Sequence, residues 1–210
     1  MTIANKGTQL SADEALRRLI EGNQRFLRGE ARRSAFRRET LTELAKAQRP
    51  YATVLGCSDS RVPPEWIFDT GLGELFVVRV AGNILSPEIS GTLQYAGSYL
   101  ETPLFVILGH EGCGAIAAAL ATKHEGAQFR SRVQLLLANI LPGLPELDPT
   151  LSPEEQASLA VESNVRWTVR QILDTPEGKA RMAEGRTKIV GAVYEIETGC
   201  VRFLPSDEAR

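Results

Sequence analysis

Two short apolar runs, each closing on glycine and each followed at once by side chains that bind metals, constrain this chain more than any other feature. Ala52-Thr-Val-Leu-Gly56 leads into Cys57-Ser-Asp-Ser-Arg61, and Leu104-Phe-Val-Ile-Leu-Gly109 leads into His110-Glu-Gly-Cys113. Short, almost wholly apolar runs of this kind read as strands buried on both faces, the habit of parallel sheets. In an open parallel sheet, residues just past the carboxyl ends of strands gather at one edge, where ligands bind. Helical patterns separate the runs, so the expected fold is α/β: a central, mainly parallel β-sheet flanked by helices.

The donor set delivered to that edge selects a chemistry. Two thiols and one imidazole make three of the four ligands of a zinc site, and catalytic zinc keeps its fourth position open for water. Soft thiolates favour zinc over magnesium, calcium or manganese. Three cysteines in all cannot supply the four that an iron–sulfur cluster needs. His110 and Cys113 lie three apart across a strand-to-helix turn and can face one point. Cys57, Asp59 and Arg61 alternate, so in extended backbone their side chains share one side. Two thiolates neutralise the zinc charge, and a water there needs help to ionise. Asp59 is placed to accept its hydrogen bond, and Arg61 to hold Asp59 in a two-pronged grip.

Bland alternatives exist for each residue taken singly. A lone Cys57 or Cys113 is an inert buried thiol, and an isolated Asp59–Arg61 pair is a surface salt bridge. Cys200 keeps the inert reading, and His124, in a polar Lys-His-Glu-Gly stretch, is expected to face solvent. Other zinc chemistries lack their motifs: neither His-x-Glu with Pro-Cys-x-x-Cys nor His-Glu-x-x-His occurs. Gly-x-Gly-x-x-Gly is absent after any strand, which removes dinucleotide use.

A formal net charge of −2 gives no reason to expect nucleic acid or an acidic membrane as partner. The N-terminus lacks the apolar stretch of a secretory leader, and no apolar run is long enough to span a membrane. With metal-binding rather than paired cysteines, the expected compartment is the cytoplasm. A chain of 210 residues reads as one domain, with residues 1–48 as an N-terminal helical arm and 49–210 as the α/β core.

Along the chain, Ser11-Ala-Asp-Glu14 forms a capping box before a helix carrying Leu16, Leu19 and Ile20. An arginine-rich patch, Arg28 to Arg38, reads as a solvated connection or an arm on a neighbouring subunit. A short helix over Glu39–Ala47 precedes the first strand. Pro63–Phe68 suits a short helix, Glu74–Val80 a strand closed by Ala81-Gly-Asn83, Ile89–Glu101 a helix, and Gly114–Thr122 another. Phe129 to Ile140 marks an amphipathic helix. Ser152-Pro-Glu-Glu155 caps one continued by Val161, Val165, Val169 and Ile172. Lys188–Ile196 and Cys200–Leu204 read as a C-terminal β-hairpin.

The motifs resemble one known family. Cys-Ser-Asp-Ser-Arg-Val-Pro (57–63) with Gly-His-x-x-Cys-Gly (109–114) is similar to the β-class carbonic anhydrases. So are Gly73 to Asn83, Gln94-Tyr-Ala96 and Glu21-Gly-Asn-Gln-Arg-Phe26. The resemblance implies reversible hydration of carbon dioxide to bicarbonate and a proton, with one zinc held by Cys57, His110 and Cys113. It implies that Asp59 and Arg61 form the catalytic dyad, that Gln48 binds substrate, and that the Gly114 amide donates to bicarbonate. Phe76 and Tyr95 match apolar pocket positions supplied by a neighbouring subunit, which implies a homodimer or a tetramer of dimers. The family also has a closed state in which the aspartate, here Asp59, becomes a fourth zinc ligand. Some members close with bicarbonate bound by a tryptophan, an arginine and a tyrosine. Arg79 and Tyr194 match the last two, but Val54 stands in place of the tryptophan. Two other readings fit the zinc motif: a carbonyl sulfide or carbon disulfide hydrolase on the same scaffold, and a non-catalytic zinc-binding assembly or sensor protein.

Overall fold

The computed structural model describes residues 10–32, 38–146 and 148–205. Residues 33–37 of the arginine-rich patch lie outside the described residues, as do residues 1–9, on which the leader expectation rests. Among the described residues, five strands form one sheet: β1 (Ala52–Gly56), β2 (Leu75–Arg79), β3 (Leu104–His110), β4 (Lys188–Tyr194) and β5 (Val201–Phe203). Their order across the sheet is β2-β1-β3-β4-β5. The first four are parallel, and β5 returns antiparallel to β4 as the expected hairpin. Every residue of β1 and β3 is buried, as strands covered on both faces must be.

The order creates the site. From β1 the chain moves outward to β2, crosses back to β3, and continues to β4 on the far side. Connections leaving β1 and β3 run in opposite directions, which opens a crevice at their carboxyl ends. Gly56, the last residue of β1, pairs with Leu108, so the chain leaves β1 just before β3 ends at His110.

Helices cover both faces. They are α1 (Ala12–Leu27), α2 (Arg38–Leu44), α3 (Pro64–Ile67), α4 (Pro87–Ser98), α5 (Gly114–Glu125), α6 (Ser131–Ile140), α7 (Pro153–Asp174) and α8 (Pro176–Ala183). The Ser11–Glu14 capping box is formed: the Glu14 N–H donates to Ser11 Oγ at 3.2 Å and the Ser11 N–H to Glu14 Oε2 at 2.9 Å. α1 buries Ala15 and Leu19 completely, and Asn23 anchors it. The Asn23 Nδ2 donates to the Ile67 and Gly199 carbonyls at 3.2 and 2.9 Å, while Oδ1 accepts the Val201 N–H at 3.0 Å.

α7 presses closest to the sheet. A Cβ added to Gly109 would stand 2.5 Å from Val165 Cγ2, and one added to Gly191 2.8 Å from Val165 Cγ1. Val165 therefore packs into a notch that only glycines on β3 and β4 leave open. The buried stripe of α7 is Ala160, Val161, Asn164, Val165, Thr168 and Ile172, with two polar residues at its centre.

Several boundaries differ from the sequence expectation. α8 is unforeseen: its Pro-Glu-Gly-Lys-Ala-Arg-Met-Ala stretch has one large apolar residue, Met182, and buries only Gly178, and its start is set by Thr175, whose Oγ1 accepts the Gly178 N–H at 2.9 Å. α4 begins at Pro87 because Ser86 caps it, accepting the Ile89 N–H at 3.4 Å. α5 runs on to Glu125, and His124 on its last turn is half-buried rather than exposed, beside residues 144–146, which Lys123 ties to the helix end.

Candidate active site

Cys57, His110 and Cys113 converge at the crevice. One ligand atom from each lies within 4.8 Å of the others, and all three residues are buried. Each is set by a different device. Cys57 is the first residue past β1, and its Sγ accepts the N–H of Gly82 at 3.4 Å. Gly82 sits in the 3₁₀ turn Ala81–Asn83 with φ of 69°. A side chain there would also stand 2.8 Å from Ile140 Cδ1, so only glycine brings that amide to the sulfur.

His110 is the last residue of β3, paired with Tyr194, whereas Gly109 had marked the strand end in the sequence. Its Nδ1 lies 2.8 Å from the Glu111 carbonyl, which can only accept, so Nδ1 carries the proton and Nε2 offers a lone pair. Nε2 is buried and has no hydrogen-bond partner among the described residues. Cys113 caps the N-terminus of α5.

The electrostatics of the three groups fit a bound cation. The Cys57 thiol is pushed down to about 4, chiefly by the Cys113 side chain, with His110 and the Gly82 amide adding to it against burial. The Cys113 thiol is pushed up by the Cys57 sulfur and by burial. The two sulfurs thus compete for one proton. Burial opposes charge on His110, but the Cys57 sulfur and the Glu111 carbonyl outweigh it and raise its pKa. A buried, unpaired acceptor costs about 1–3 kcal/mol. A soft dication between the sulfurs and Nε2 would satisfy the orphaned nitrogen and both thiolates at once. The residues therefore fit zinc, by donor type and by number.

Asp59 stands beside this trio on a separate tether. Its Oδ1 accepts from Arg61 Nε and from the Arg61 backbone N–H, each at 3.0 Å, and its Oδ2 accepts from Arg61 Nη2 at 2.8 Å. That two-pronged contact holds the Asp59 carboxyl well below the usual carboxylate range. Asp59 Oδ2 is 3.9 Å from His110 Nε2, so the carboxylate faces the metal position while bound to arginine. Arg61 Nη2 also reaches the Gly112 carbonyl at 3.4 Å and ties the two loops together. Arg79 on β2 spends its guanidinium on the same loop, donating to the carbonyls of Cys57, at 2.9 Å, and Asp59.

Among the other expected residues, Gly114 adjoins the trio. Gln48 is exposed in the segment before β1. Phe76 pairs with Thr53, four residues before Cys57, and its ring lies 6.1 Å from that of Tyr95, which stacks on Tyr99 at 5.3 Å. Gly114 opens α5 beside Cys113 and is exposed, with free space where a side chain would be. Val54 is completely buried in β1 and Tyr194 nearly so at the end of β4.

Two residues that position the site escaped the sequence reading. Asn164 Nδ2 donates to the Gly82 carbonyl at 2.9 Å, and Thr168 Oγ1 to the Asn83 carbonyl at 3.3 Å. Their signal was present: both interrupt the apolar stripe of α7 with polar side chains.

The chain matches the family model described as carbonic anhydrase over residues 52–201. It is 35% identical to carbonic anhydrase 2 of Mycobacterium tuberculosis over 187 residues, 88% of this chain and 89% of that one. The structure is similar to that of the β-carbonic anhydrase CcaA, with a TM-score of 0.71 at 27% identity, covering 94% of this chain and 95% of the other. It shares its fold with the tetrameric β-carbonic anhydrases of Sordaria macrospora, with a TM-score of 0.73 at 24% identity over 91% of this chain and 97% of the other.

Proposed function

The chain belongs to the β-carbonic anhydrase family, and on that premise we propose that it hydrates carbon dioxide reversibly, using zinc held by Cys57, His110 and Cys113. The observation that carries this reading is the convergence of those three donors within 4.8 Å, beside an aspartate already gripped by arginine. Zinc, when bound, supplies the Lewis acidity that makes water nucleophilic near neutral pH, as in the carbonic anhydrases with three histidine ligands.

The chain's own residues do the rest. Asp59 accepts a hydrogen bond from the attacking water and fixes its orientation. Because Arg61 depresses its pKa, Asp59 does not store the released proton, which passes to solvent and buffer. Arg61 keeps the carboxylate off the metal position. The Gly114 amide, at the positive end of α5, donates to a bicarbonate oxygen. Gln48 binds the substrate, and Phe76 and Tyr95 complete the carbon dioxide pocket from a second copy of the chain. Exposure supports such an assembly, a homodimer or tetramer of dimers: Tyr99 is 63% exposed, Trp66 70% and Leu72 52%. The site's free thiols fit a reducing compartment, the cytoplasm. Among the described residues no helix is long and apolar enough to cross a membrane.

Stopped-flow hydration of carbon dioxide with a zinc assay on the same sample tests the proposal. Activity that disappears with chelation and returns with zinc is the expected result. Full zinc occupancy without hydration, and with turnover of carbonyl sulfide instead, would overturn it.

A further inference from the structure

One of the three donors, Cys57, is set by a turn, and the turn is set by a helix that carries none of them. Gly82 donates its N–H to Cys57 Sγ, yet glycine is the residue least able to hold its own backbone angles. Two side chains from α7 do that for it. Asn164 ties the Gly82 carbonyl at 2.9 Å and Thr168 the next carbonyl, that of Asn83, at 3.3 Å, which fixes the peptide just past the donating amide. Both are fully or almost fully buried, at 1% and 0% exposure.

Their positions are poor choices for stability alone. Asn164 occupies the centre of the stripe that seals α7 against β3 and β4, where leucine or valine would pack without polar cost. Its Oδ1 is buried without a partner among the described residues, as is Asn83 Nδ2. A local rule broken in the core, with its one satisfied contact aimed at the turn that donates to the Cys57 sulfur, is the mark of a functional constraint. We propose that Asn164, seconded by Thr168, is a positioning residue that keeps the Gly82 amide on the Cys57 sulfur and thereby sets how strongly that thiolate holds and donates to the metal. Outer groups that orient a metal ligand in this way are worth about 10–100-fold in metal affinity or activity.

The proposal rests on the zinc reading, and the test separates the two. The full-length protein is prepared with zinc, and with cobalt in its place, as wild type, Asn164→Leu, Thr168→Val and Asn23→Leu. The last removes a buried asparagine that anchors α1 away from the site, and reports on stability alone. Asn164→Leu is expected to move the thiolate-to-cobalt charge-transfer band to longer wavelength and to release zinc to a chelator about ten-fold faster. Thr168→Val should do the same to a smaller degree, and decides the matter if Asn164→Leu does not fold. Asn23→Leu should lower the melting temperature and leave band and release rate alone. A wild type that holds no zinc overturns the metal reading. A zinc-holding wild type whose α7 variants keep its band and release rate, or are matched by Asn23→Leu, overturns the positioning role.

Discussion

The sheet carries thiols at two places, and only at one do they converge with an imidazole. At the carboxyl ends of β1 and β3, Cys57 and Cys113 meet an imidazole whose free nitrogen is buried and unpaired. At the β4–β5 turn, Cys200 sits among groups that satisfy one another. The Glu195 N–H donates to the Cys200 carbonyl at 2.9 Å, the Cys200 N–H to Thr198 Oγ1 at 3.1 Å, and Thr198 Oγ1 to Glu195 Oε2 at 2.9 Å. Residue type is the same in both places. What differs is topology, which brings donors from separate strands together only at the switch point, and an unsatisfied lone pair left there for a ligand.

The largest effect tests that contrast outright. Cys57→Ser or Cys113→Ser should lose zinc and reduce hydration to background, while Cys200→Ser should keep both. Zinc analysis and stopped-flow rates on the three variants decide it, and loss of zinc from Cys200→Ser alone would break the comparison. Next in size is the dyad. Arg61→Ala should retain zinc and lose about 10- to 100-fold in activity, since the freed Asp59 then turns to the metal. Wild-type turnover in that variant would reduce Asp59–Arg61 to a surface salt bridge.

The crevice was legible because its residues obey local rules. Cys57 and His110 follow apolar runs, but Asp59 and Arg61 meet through a turn, closed by the Val62 N–H on the Asp59 carbonyl at 3.1 Å, and not through the extended backbone that their alternation suggested. Gly82, Asn164 and Thr168 were not legible as partners, because their contacts close between segments some 80 residues apart and have no local period. The fold shows the same division. α1 and α7 were readable because capping boxes marked their starts and apolar residues recur along them at helical spacing. α8, with a single large apolar residue, depends on its Thr175 cap and its place beside α7. Phe76 and Tyr95 are expected to act from a neighbouring subunit, which a single chain does not bring together.

Acidity sharpens the contrast further. The Asp59 pKa is lowered in the folded protein, so its contribution to stability is complete above the ordinary carboxylate pKa and is lost only as pH falls through the lowered value. The gap in urea stability between wild type and Asp59→Asn should stay constant from about pH 8 to about 5 and shrink only below about 4. Activity should fall at much higher pH than that, rising instead through mildly alkaline values, because hydroxide competes with the Asp59 carboxylate for the metal far better than water does. An activity profile that tracks the stability gap would show that protonation of Asp59, not its exchange between partners, is the controlling event.

The smallest expected effect concerns bicarbonate. Arg79 is committed to the Cys57 and Asp59 carbonyls, and Val54 is sealed in β1 between Val77 and Val106. Added bicarbonate should therefore inhibit weakly and without cooperativity. Steep inhibition abolished by Arg79→Ala would show that this arginine serves an anion pocket as well as the loop.

X-ray absorption at the zinc edge of the wild-type protein tests the central claim most directly. Two sulfur neighbours at about 2.3 Å and one imidazole nitrogen at about 2.0–2.1 Å, with a light atom in the fourth position, are predicted for Cys57, Cys113 and His110. A shell with one sulfur, or with a third that disappears in Cys200→Ser, would contradict the account.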